Sequence, residues 1–83
     1  MRGQKMDELH LARLIEEDIK TIYKEAHFNV LQKVVFDLLL SDVTVDEDNI
    51  ELLCISRNRY YEVKSEVYDK LIRLEDKIGI KLR

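Results

Sequence analysis

No proline interrupts this chain, and its only glycines, Gly3 and Gly79, stand near the two ends. Tight hairpins draw on Gly, Pro and Asn for backbone angles that other residues adopt only at a cost. A sequence so poor in turn-makers is ill suited to β-hairpins and well suited to helices. An all-α fold is therefore expected. At 83 residues there is room for one domain and one modest core.

The apolar pattern divides the chain into four helices. Asp7 to about Ala26 reads as the first, with Arg13, Glu17, Lys20 and Lys24 as a polar stripe opposite Leu9, Leu11, Leu14, Ile19 and Ile22. Before it, MRGQK reads as a frayed leader, with residues 1–6 expected to be disordered. The segment HFNVLQKVVFDLLLSD is apolar nearly all round and predicts a second, central helix with Asn29 as a possible N-cap. Thr44 and Glu47 then have capping-box spacing, and Asp46, Glu47 and Asp48 suit the positive start of a short third helix. Ser56 caps a fourth. Its residues Tyr60, Val63, Val67, Leu71, Leu74 and Ile78 form one stripe over five turns, and Gly79 is a plausible stop.

Charge is unevenly placed. The net value is -3, but residues 1–55 hold 6 basic and 12 acidic side chains, and residues 56–83 hold 8 basic and 5 acidic. The balance changes sign at Ser56, which makes the C-terminal segment the expected working end. No apolar run approaches a membrane span and no secretory h-region is present, so no membrane partner is expected. The lone Cys54 leaves no intramolecular disulfide framework, and a cytoplasmic location is expected.

A short helix, a brief turn ending in serine and a longer helix make a helix-turn-helix arrangement, expected over residues 44–78. The first turns of the second helix must then face a DNA major groove. Just past Ser56 stand Arg57, Asn58 and Arg59. Arginine can hold guanine O6 and N7 with two parallel hydrogen bonds, and asparagine can do the same for adenine. With Tyr60 inward, Arg57, Asn58, Tyr61, Glu62 and Ser65 share an adjoining face. Arg59, Lys70, Arg73 and Lys77 lie on the other flank, where they could touch phosphates or remain solvated.

On these residues the stretch LLCISRNRYYEVKSEVYDKLIRLEDKIGI resembles the C-terminal helix-turn-helix of phage transcriptional regulators of the ArpU/RinA type. It is similar, more distantly, to region 4 of sigma factors. The shared elements are Leu53, Ile55, Ser56, Arg57, Tyr60, Tyr61, Lys64, Lys70 and Leu71. The resemblance implies base reading by Arg57, Asn58 and Tyr61, with Glu62 a possible acceptor from cytosine. Two places depart from the family pattern. Asn49-Ile50 stands where Ile-Ala is usual, so the helices cross differently or the motif starts one residue out of step. Cys54 occupies a tight turn that often uses Gly or Asn, and a cysteine in left-handed geometry costs about 1 kcal/mol or more.

Other chemistry finds little support. His10 and His27 have no acidic or cysteine partner at ligand spacing, and a zinc site needs three or four converging ligands. Asp46–Asp48 lack the calcium-loop spacing and glycine. Cys54 has no base nearby in sequence and reads as a small packed residue. Neither catalytic residues nor a cofactor are expected. Tyr61 and Tyr68, seven apart, would either lie partly buried against the first helix or form a dimer seam.

The expected function is sequence-specific recognition of double-stranded DNA in transcription control, with base contacts from Arg57 and Asn58, phosphate contacts from Arg59 and Lys64, and Tyr61, Glu62 and Ser65 completing the DNA-binding set. One recognition helix reads few base pairs, which implies a homodimer or a partner such as RNA polymerase. The competing expectation is a protein-binding adaptor or inhibitor that acts through the acidic N-terminal half.

Overall fold

The computed structural model describes residue 11, residues 14–41 and residues 45–80. Over these residues the chain forms α1 (Glu16–Ala26), α2 (Val30–Ser41), α3 (Asp46–Leu53) and α4 (Arg57–Ile78), and no strand. The expected leader over residues 1–6 lies outside the described residues, as does Thr44.

Ser56 opens α4 as expected: its hydroxyl accepts from the Arg59 backbone N–H at 3.1 Å. Gly79 closes the helix in the left-handed region at φ 79°. Between these ends Tyr60, Val63, Val67 and Leu71 are completely buried, and Leu74 nearly so. The stripe read from the sequence is the stripe that builds the core.

Two expectations need correction. Leu14 and Ile15 are not helical, so α1 starts at Glu16. The cluster Glu16, Glu17 and Asp18 fills its first turn, where carboxylates face the positive end of the helix dipole. Leu11, ahead of this helix, still reaches the core. Nor is α2 the centre of the fold. Both α1 and α2 pack on α4, whose 22 residues are long enough to serve both. The 12-residue α2 buries Gln32, Val35 and Phe36, with Val30 left 82% exposed.

Asn29 caps α2 and has a reciprocal partner. Its Oδ1 accepts from the Gln32 N–H at 2.8 Å, and Gln32 Oε1 accepts from the Asn29 N–H at 3.1 Å. This is the capping-box exchange, built with Asn and Gln. The buried Gln32 side chain also donates to Glu66 at 2.9 Å and accepts from Lys70 at 2.8 Å. Lys70 donates as well to the carbonyl of His27, the left-handed residue that ends α1. One lysine thus joins the α1–α2 corner to α4, where a solvated or phosphate-facing side chain was expected.

Candidate nucleic-acid interface

Three residues, Cys54 to Ser56, connect α3 to α4. Cys54 takes the left-handed conformation (φ 57°, ψ 38°), and its N–H donates to the carbonyls of Ile50 and Glu51. The turn therefore has the backbone for which Gly or Asn is better suited, and cysteine occupies it.

Below the turn, α3 meets α4 through polar groups. Asn49 is 1% exposed and donates to the Tyr60 hydroxyl at 3.1 Å. That hydroxyl donates to Asp46 Oδ1 at 2.7 Å. Lys64 Nζ donates to both oxygens of Asp46, at 3.1 and 2.9 Å. Asn49, rather than the bulkier Ile50, is the buried member of the Asn49-Ile50 pair. Burial disfavours ionising Asp46, but hydrogen bonds from Tyr60 and Lys64 and the lysine charge outweigh it and hold the carboxyl below its ordinary range. Burial, assisted by the Asp46 charge, pushes the Tyr60 phenol well up. Thr44, expected to cap this helix, lies outside the described residues. Val45 is the N-cap residue, without a side-chain bond, and Glu47 is engaged elsewhere.

That other partner is Arg57. Its Nη1 and Nη2 donate to Glu47 Oε2 and Oε1 at 2.8 and 2.7 Å. The hydrogen bonds and the opposite charge lower the Glu47 carboxyl and raise the guanidinium. Arg59 donates to Glu62 at 2.6 Å along α4 itself. Arg57, Arg59 and Lys64 are thus each matched by a carboxylate: Arg57 by Glu47, Arg59 by Glu62 and Lys64 by Asp46. The positive balance counted past Ser56 is offset locally, because α3 brings Asp46, Glu47, Asp48 and Glu51 alongside.

The outward face remains. Arg57, Asn58, Tyr61, Glu62 and Ser65 are all exposed, and among the described residues no hydrogen bond ties the side chains of Asn58 and Ser65. Tyr61, 40% exposed, sets its ring edge-on to Tyr60 with centroids 5.2 Å apart. Lys64 is the inward member of the set at 21% side-chain exposure, lying between the Tyr61 and Tyr68 rings at 5.9 and 5.7 Å. Helix α1 is tied to the far end of α4, where Lys77 and Glu25 approach to 3.7 Å.

No described group of three or more His, Cys, Asp or Glu side chains could hold a metal ion. No described helix is long and apolar enough to cross a membrane. Set against known proteins, the chain matches no family model, no curated protein and no solved structure.

Proposed function

We propose that this chain binds double-stranded DNA through the first two turns of α4 and acts in transcription control, as its resemblance to phage regulators implies. One observation carries the reading: Arg57, Asn58, Tyr61 and Ser65 stand exposed on the start of a long helix joined to a shorter one by a three-residue turn. A helix so presented can enter a major groove, and its arginine and asparagine have the donor geometry for guanine and adenine edges. Arg59, on the flank, would touch phosphate. A homodimer or RNA polymerase would supply the remaining base pairs of the site.

Titration of a labelled duplex by fluorescence anisotropy, followed by selection of preferred sequences, tests this. Binding should weaken steeply with salt. Replacing Arg57 and Asn58 with alanine should remove site preference, on the order of ten-fold or more in discrimination per lost two-bond contact. Absence of duplex binding at low salt would refute the reading.

The four acids of α3, with Val45 and Leu52 exposed beside them, favour a second reading in which the acidic segment docks on a basic protein partner. Salt-dependent binding to protein but not to duplex would select it.

A further inference from the structure

The Arg57 guanidinium grips Glu47 with two parallel N–H···O bonds. This forked contact is the one arginine also makes with the paired acceptors of guanine or with phosphate. We propose that Glu47 is an intramolecular competitor of DNA for Arg57, so that affinity is set by exchange of one guanidinium between a carboxylate on α3 and acceptors on the duplex. The proposal deepens the DNA-binding reading and rests on it.

Exposure decides how the contact works. Side chains of Arg57 and Glu47 are 59% and 61% exposed, so the pair lies in water, where ion pairs are weak and open readily. A buried pair would disable Arg57. An exposed one only raises a threshold. Any DNA acceptor must displace a carboxylate that already satisfies both arms of the fork, and guanine O6 and N7 replace it better than a single acceptor can. The carboxylate also stays near the backbone phosphates after release, adding repulsion. Both effects oppose casual capture of Arg57 by random sequence.

The neighbouring carboxylates do not share this role. Asp46 is held by Tyr60 and Lys64 within the helix interface. Glu62 holds Arg59 on α4 itself. Glu51, on the same helix as Glu47, is exposed and has no ion pair among the described residues. It is therefore a matched control, with equal charge and no lock.

The test compares Glu47→Gln with Glu51→Gln, each with and without Arg57→Ala, by anisotropy titration of a random-sequence duplex at constant low salt. Circular dichroism checks that each variant stays helical. Loss of either acid should tighten binding through net charge, but E47Q should gain about three-fold or more beyond E51Q, a size fitting an exposed ion pair. With Arg57 removed, the two substitutions should become equal. Wild-type binding with E47Q gaining no more than E51Q would overturn the lock and leave DNA binding standing. No binding by any of the proteins would overturn both.

Discussion

The two halves of α4 are held by different balances of apolar and polar contact. From Val67 to Leu74 the helix presents buried aliphatic side chains on which α1 and α2 pack, and Lys70 adds hydrogen bonds to Gln32 and the His27 carbonyl at the rim. At its start it meets α3 through Asn49, Tyr60, Asp46 and Lys64, where each bond needs a particular angle. Apolar burial supplies stability and tolerates small shifts. A satisfied polar network adds less net energy but fixes one arrangement of the elements it joins. The difference places the directional joint under the exposed Arg57–Ser65 face.

The largest effects should come from the apolar half. Leu71 has no exposed surface, and Leu71→Ala should cost about 2–5 kcal/mol through lost burial and the cavity left behind. Tyr60→Phe deletes only the hydroxyl that joins Asn49 to Asp46, and should cost about 1–3 kcal/mol. Urea unfolding orders the two. Hydrogen exchange then separates their character: Y60F should speed exchange in α3 amides more than in α1 or α2, while L71A should speed it throughout. Uniform acceleration by both would erase the distinction between the two halves.

How far the residues foretell this molecule follows the same line. The stripe from Tyr60 to Leu74, the Ser56 cap and the Gly79 stop depend on near neighbours in sequence, and a helical period or a cap spacing exposes them. Arg57 with Glu47, Lys64 with Asp46 and Lys70 with His27 are separated by 10, 18 and 43 positions, and depend on how helices cross. No period encodes a crossing. Asn49 gave a usable hint, as a lone amide beside the apolar residues of α3. Gln32 gave another, standing three after Asn29 at capping-box spacing while looking like a mere polar interruption. The central position expected for α2 failed because apolarity all round does not say which helix is long enough to receive two neighbours.

The polar joint should also give the fold its acid sensitivity. Asp46 is held below its ordinary range in the folded protein, so its contribution is complete above the unfolded value near pH 4 and is lost as pH falls through the lower folded value. Asp46→Asn should therefore flatten the decline in stability below about pH 4, and reduce stability at neutral pH by on the order of 1 kcal/mol once solvent screening is allowed for. Melting curves collected across this range for both proteins test it. An unchanged slope would mean that the acid response arises from other carboxylates, and that the joint is not where protonation acts.

The smallest expected effect lies at Cys54, where the two helices of the joint change direction. Its φ of 57° places a Cβ-bearing residue in the left-handed region, at a cost of about 1 kcal/mol that glycine does not incur. Glycine in turn loses more freedom on folding, which returns about 0.4–1 kcal/mol of the gain. Cys54→Gly should thus change stability by a few tenths of a kcal/mol, in the stabilising direction, while Cys54→Val should destabilise, since a β-branched side chain tolerates that region least. His27, at φ 55°, makes the corresponding reversal after α1, but its carbonyl is gripped by Lys70. The two turns can be compared by thermal melts of the four variants carrying Gly or Val at each position. If the turns respond alike, backbone conformation alone sets the effect. If valine is better tolerated at His27, the lysine contact holds that corner in place, and the Cys54 turn relies on its backbone and the hydrogen-bonded joint beneath it.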